Sequence, residues 1–142
     1  TNISFVLGDI ENMPVADNIA DVVISNCVLN LVPDKEKAFR EIYRILKPGG
    51  HLSVSDVVLQ GNLPDGIKNA AEMYAGCVSS AIQTEDYLSI MGKAGLKNIR
   101  IQKSKVIDIP KDILLKYLSE KEILDFKESK SGIFSITVYA EK

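Results

Sequence analysis

Arg44-Ile45-Leu46-Lys47-Pro48-Gly49-Gly50, running on into Leu52-Ser53-Val54-Ser55-Asp56-Val57-Val58, decides the fold. Lys47-Pro48-Gly49-Gly50 reads as a helix terminator, because proline cannot continue a helix and glycine releases the chain at its end. Upstream, Pro33-Asp34 opens that helix, and Phe39, Ile42, Tyr43 and Leu46 recur at helical spacing. Downstream, Leu52 to Val58 reads as a strand. Preceding the helix, Asp21 to Asn26 carries Val22, Val23 and Ile24 without polar interruption, the pattern of a strand covered on both faces. Strand, helix and strand in that order imply a parallel pair with the helix packed on it, and Asp21–Asn26 should be central.

Working outward, Ile3 to Gly8 reads as a further short buried strand. A helical region spans Pro64 to Ala81, with Ile67, Ala70, Met73, Tyr74, Cys77 and Val78 on one broad side, so Cys77 should face inward. Thr84-Glu85-Asp86 is a helix start, and the stripe Leu88, Met91, Ala94 ends at Gly95. Ile99, Ile101, Ile107 and Ile109 share one face of an extended segment with Lys103 and Lys105, which predicts a bend or an exposed middle. A short helix near Asp112–Leu118 and a charged stretch from Glu120 to Ser131, read as a mobile loop, lead to Gly132–Tyr139. There Phe134, Ile136 and Val138 alternate with polar neighbours, as in a half-buried antiparallel strand. The order β, β-α, β-α-α, β-α, β predicts an α/β fold with a mainly parallel sheet and an antiparallel last strand.

The chain has 142 residues, 46% hydrophobic and 25% charged, which suits one domain or a large piece of one. No apolar run reaches the roughly 18 to 20 residues of a membrane span. A formal net charge of −2, with lysine and glutamate intermixed, argues against nucleic acid and anionic membrane as partners, while the lack of a spanning run and of a signal-peptide pattern after Thr1 points to a cytoplasmic protein. Cys27 and Cys77 form no CxxC pair and should be free thiols in a reducing compartment.

Three stretches, Gly8-Asp9-Ile10-Glu11-Asn12-Met13-Pro14, Asp21-Val22-Val23-Ile24-Ser25-Asn26 and Arg44 to Gly50, together resemble the later motifs of class I S-adenosylmethionine-dependent methyltransferases. The resemblance implies a partial Rossmann-like sheet holding the family's third to seventh strands, with residues 1–142 as the C-terminal part of a single methyltransferase domain. The glycine-rich cofactor loop and the ribose-binding acid of the family would then precede Thr1, and this chain by itself should be inactive. The family order, 3-2-1-4-5-7-6, predicts that Asp21–Asn26 is left as an apolar edge. Either Ile3–Gly8 folds back onto it, or two chains join edges in a homodimer.

Within that superfamily, Ser25-Asn26-Cys27-Val28-Leu29-Asn30-Leu31 followed by Pro33-Asp34-Lys35, with Gly76-Cys77-Val78, resembles the arsenite methyltransferases, although Ser80 and Leu96 depart from their pattern. The resemblance implies S-adenosylmethionine as methyl donor and a small-molecule or metalloid acceptor, with Cys27 and Cys77 as catalytic thiolate ligands to arsenic as substrate. It also assigns Asp9 and the backbone of Ile10 to adenine, and the backbone at Asn26 and Cys27 to the methionine moiety. Thiolates suit soft trivalent arsenic, and methyl transfer to such an acceptor needs positioning more than acid or base.

From the residues alone, the alternatives stay open. Two isolated cysteines are as readily small buried hydrophobes; Asn26 suits a turn; Asp9 could be an ordinary strand-end acid. Ser55 and Asp56 end a strand on the same side and could line the acceptor pocket, or Asp56 could cap a loop. His51, at the opposite strand end, should be a surface residue. The rival functions are a small-molecule C- or N-methyltransferase of the ubiquinone-biosynthesis type and a non-catalytic thiol-binding or oligomerising module.

Overall fold

The computed structural model describes residues 2–142. Strand β1 spans Ala20–Asn26, helix α1 Lys35–Ile45, β2 Leu46–Gln60, α2 Asp65–Tyr74, α3 Thr84–Lys93, β3 Lys97–Val106, α4 Lys111–Leu114, α5 Glu120–Glu128 and β4 Gly132–Glu141. The sheet order is β1-β2-β4-β3, with β1 and β2 parallel and β4 antiparallel to both β2 and β3. Three strands therefore point one way and the last in sequence is reversed, in the expected order 4-5-7-6.

Successive side chains on a strand point to opposite faces, and β2 and β4 divide their apolar residues accordingly. Leu52, Val54 and Val58, with Ile136, Val138 and Ala140, pack beneath α1 and α3 against Phe39, Ile42, Tyr87 and Met91. Val57 and Ile133 face the other way, toward Ile67, Ala70, Leu114, Leu118 and Ile123 of α2, α4, α5 and their connections. Asp34 caps α1 by accepting from the Lys37 N–H at 2.9 Å. Gly95 ends the α3 connection at φ +105°, with its α-carbon against the Tyr43 ring, where a β-carbon would sit 3.0 Å from Cε2.

Four expectations are corrected. Ile3–Gly8 is not a strand: Phe5 is 96% and Leu7 98% exposed, and the segment does not fold back onto β1. A lone extended segment has no ladder to satisfy its backbone and no surface to cover its side chains. Asp21–Asn26 lies at the sheet edge, as the family order predicts, and not at the centre that its apolar run alone suggests, with Val22 48% and Ile24 79% exposed. The Pro64–Ala81 helix breaks after Tyr74 into a 3-10 turn at Gly76–Val78. Residues 120–128 form a helix and not a loop, because Ser119 and Glu122 make a reciprocal capping box and Ile123 is buried.

Strand β3 is exposed from Arg100 to Val106, the exposed middle that the mixed isoleucine–lysine face predicts, and its register slips between Ile101 and Lys103. Among the described residues no helix is long and apolar enough to cross a membrane.

Candidate active site at the carboxyl end of the sheet

Open α/β sheets bind ligands beyond the carboxyl ends of their strands. At that end, Asn26 pairs in register with Ser55, and the Cys27 N–H donates to the Ser55 carbonyl at 2.8 Å. Cys27 then takes φ +58°, a left-handed conformation uncommon for a residue with a β-carbon, and the chain turns sharply into the 3-10 turn Leu29–Leu31. Cys77 arrives from the other side, in the turn after α2. Both cysteines are free and half-buried, and their thiols are neighbours. Burial pushes the Cys27 thiol up, and the Cys77 sulfur, through its charge and a side-chain hydrogen bond, together with the negative Asp56, pushes it further. At neutral pH the Cys27 thiol is therefore held in its neutral form and not pre-ionised for attack. Among the described residues no group of three or more His, Cys, Asp or Glu side chains could hold a metal ion.

Behind the thiols runs a buried polar chain. Asp56 neither caps a loop nor lines an open pocket; it is fully buried, accepts from the Asn30 N–H at 3.3 Å through Oδ1, and accepts from the Tyr87 hydroxyl through Oδ2. Burial raises the Asp56 pKa, while the bonds from Tyr87 and Asn30 and the charge of Lys35 oppose that rise. Burial and the adjacent carboxylate push the Tyr87 phenol strongly up, so it remains a donor. Asn30 Nδ2 donates to the Cys77 carbonyl at 2.7 Å, while Asn30 Oδ1 is buried without a partner. Such an orphaned acceptor costs about 1–3 kcal/mol, against about 0.5–1.5 returned by an ordinary hydrogen bond. Asn30 and Tyr87 escape sequence reasoning: the α3 stripe is legible without Tyr87, and nothing in the chain pairs that phenol with Asp56.

The Asp9 turn sits apart from the thiols, along α1. Asp9 Oδ1 accepts from the Glu11 N–H at 2.9 Å, and Glu11 accepts from the Asp34 N–H at 2.8 Å. Glu41 accepts from the Met13 N–H at 2.7 Å, and Arg44 donates to the carbonyls of Met13 and Val15 at 3.0 and 2.8 Å and to the carboxylates of Glu41 and Asp17. Arg44 holds the Glu41 carboxyl below its usual range. A shallow cleft of about 190 Å³ opens beside Gly8, Asp9, Ile10 and Met13. Asn26 is exposed and its side chain makes no hydrogen bond among the described residues. Ser55 Oγ pairs with Thr137 Oγ1 at 2.8 Å, and His51 stacks on Tyr139 at the far end of the sheet. A separate cavity of about 280 Å³, lined by Ile107, Ile109, Leu114 and Phe126, touches neither cysteine.

A sheet of this order with a thiol pair and an acidic turn at its carboxyl end is the frame of a methyltransferase, and the methyltransferase domain family matches residues 1–95: the chain belongs to that family. The arsenite methyltransferase of Halobacterium salinarum is 38% identical over 119 residues, covering 84% of this chain and 29% of the relative. The crystal structure of an arsenic(III) S-adenosylmethionine methyltransferase from Chlamydomonas reinhardtii superposes on the whole chain with a TM-score of 0.77 at 30% identity, covering 45% of that protein. A ubiquinone/menaquinone biosynthesis C-methyltransferase of Haemophilus ducreyi is 47% identical over a shorter stretch, 37% of this chain. The chain thus spans only about a third of the length of the arsenite methyltransferases it matches.

Proposed function

We propose that residues 1–142 form the C-terminal part of a single methyltransferase domain, whose parent protein transfers methyl groups from S-adenosylmethionine to trivalent arsenic held by Cys27 and Cys77. The observation that carries this reading is the meeting of two free thiols at the carboxyl end of the sheet. Each thiol exchanges with an arsenic-bound hydroxide: an As–S bond forms, an As–O bond breaks, and the thiol proton leaves in water. That route suits the Cys27 thiol, which burial keeps protonated, because the proton departs with the leaving group. Two sulfur ligands then hold the arsenic lone pair in a fixed direction, and positioning is what transfer to a nucleophilic acceptor requires.

S-adenosylmethionine, when bound, supplies an electrophilic methyl on a sulfonium. The residues present fit part of its site. Asp9 offers a carboxylate and Ile10 a backbone N–H beside an apolar cleft, the acceptor and donor that an adenine edge asks for. The backbone at Asn26 and Cys27 would meet the methionine moiety. The chain alone is inactive in this reading, its location is cytoplasmic, and the β1 edge, with Val22 and Ile24 exposed, supports a homodimer.

The rival of small-molecule C- or N-methyl transfer draws on the 53-residue match to the quinone-biosynthesis enzyme and makes both cysteines structural. Titration with phenylarsine oxide, which leaves two positions for thiols, separates the two. Capture by the wild type and its loss in both Cys27→Ser and Cys77→Ser supports the arsenic site. Equal, weak binding by all three proteins overturns it.

A further inference from the structure

We infer that Asn30 is the positioning residue of the thiol pair: anchored through Asp56 to Tyr87, its side-chain amide holds the Cys77 carbonyl and thereby keeps the Cys77 thiol beside Cys27. As a role in arsenic binding this rests on the function proposed above; as a statement about thiol geometry it stands alone.

The turn carrying Cys77 is otherwise held by packing, with Val78 buried in the cluster of Val57 and Ile67, and by few hydrogen bonds. Its own hydrogen bonds are local: Ala75 accepts from Val78, Gly76 from Ser79, and Val78 from Ala81. Such bonds shape a turn without attaching it to anything. Gly76 is exposed, and a β-carbon there would touch nothing within 4 Å. Among the described residues, the bond from Asn30 Nδ2 to the Cys77 carbonyl at 2.7 Å is the only one tying the backbone of residues 75–81 to a distant part of the chain; the Cys77 thiol itself bonds Cys27, and just beyond the turn Ile82 accepts from the Leu59 N–H at 2.9 Å. Asn30 is itself rigid, for it is fully buried in the turn after Cys27, its N–H is held by Asp56 from the adjacent strand, and Asp56 is held by Tyr87 from α3. The linkage therefore runs from a core helix, through the central strand, to both cysteine-bearing turns.

The orphaned Oδ1 of Asn30 supports the same assignment. A buried amide with half its bonding unmet is a poor choice for packing, since the unmet acceptor costs more than the one good bond returns. The single bond that the side chain does make goes to Cys77, so its contribution is geometric.

The test measures thiol proximity in the full chain, without arsenic first. Equilibrating the Cys27–Cys77 dithiol with oxidised and reduced glutathione, in which two thiols are oxidised as one glutathione disulfide yields two glutathiones, reads the effective concentration of one thiol at the other. Asn30→Asp keeps the volume but removes the donor facing the Cys77 carbonyl. Tyr87→Phe keeps the ring, which packs edge-on against Phe39 at 5.5 Å, and removes only the hydroxyl. The expected result is an effective concentration lowered about tenfold in Asn30→Asp and about threefold in Tyr87→Phe, the scale of one lost or loosened hydrogen bond. A role in stability alone would lower the melting temperature and leave the thiol equilibrium of the folded protein where it was; that result in either folded variant overturns the inference. Should Asn30→Asp fail to fold, Tyr87→Phe decides. Phenylarsine oxide is the second arm: a wild type that forms the disulfide readily yet ignores the arsenical overturns the arsenic reading and leaves the positioning role intact.

Discussion

Cys27 and Cys77, fifty positions apart, meet at the carboxyl end of the sheet, and the Cys77 sulfur helps to push the Cys27 thiol above its ordinary pKa. Alkylation by iodoacetamide proceeds through the thiolate, so its pH profile reads that shift. The Cys27 rate should rise through a midpoint above that of free cysteine. In Cys77→Ala the midpoint should move down, since the neighbouring charge and hydrogen bond are gone while burial and Asp56 remain. An unchanged profile would separate the two thiols.

The raised pKa of Asp56 makes a prediction of definite sign. Its folded-state value lies above its unfolded one, so the proton is held more tightly in the folded protein. The stability this contributes is fully present below the unfolded pKa and is lost as pH rises through the folded pKa. Melting temperatures of wild type minus Asp56→Asn should therefore fall across the window just above the usual carboxylate range. A difference that rises there would mean that Asp56 is held ionised.

Phe39 is fully buried and meets the Tyr87 ring at 5.5 Å and 87°. Phe39→Ala should cost about 3–5 kcal/mol, from lost burial plus the cavity left behind. Urea unfolding measures it, and a cost below about 1 kcal/mol would contradict the described packing.

Arg44 and Glu41 clasp the Met13–Asp17 segment to α1, so Arg44→Met should speed hydrogen exchange at the Met13 amide, which donates to Glu41. Exchange in β4 should not change. Acceleration spread over the whole chain would point to global destabilisation and not to a local clasp.

Val22 and Ile24 face solvent on an edge strand, the arrangement that invites edge pairing. Light scattering should give a mass that rises with concentration, and Ile24→Lys should hold it at that of one chain. A wild type that stays monomeric at every concentration removes the homodimer proposal.

Much of the architecture was legible in the chain because it rests on local rules. Helix α1 announces itself by Asp34, an apolar stripe and the Pro48-Gly49 stop, and β4 by strict alternation. Helix α5 was legible too, in the Ser119 to Glu122 spacing, but its high charge masked the signal. Burial is different in kind. The run Ile3, Phe5, Val6 and Leu7 is apolar enough for a strand, yet a strand exists only when another supplies its hydrogen bonds, and no local pattern reports whether that partner is within reach.

The site divides along the same line. Sequence alone determined that Cys27 directly follows a strand and that Asp56 lies in the adjoining one, although that strand continues past Asp56 to Gln60 instead of ending there, and, through family resemblance, that Cys27 and Cys77 belong together. Only the tertiary structure decided that Asp56 turns inward to Tyr87, that Asn30 spans from it to the Cys77 carbonyl, and that the helix carrying Cys77 breaks so that the thiol lies beside its partner. Periodicity reports which side of an element is apolar. A hydrogen bond between residues 26 to 47 positions apart depends on how whole elements dock, and that docking is set by the packing of both cores at once.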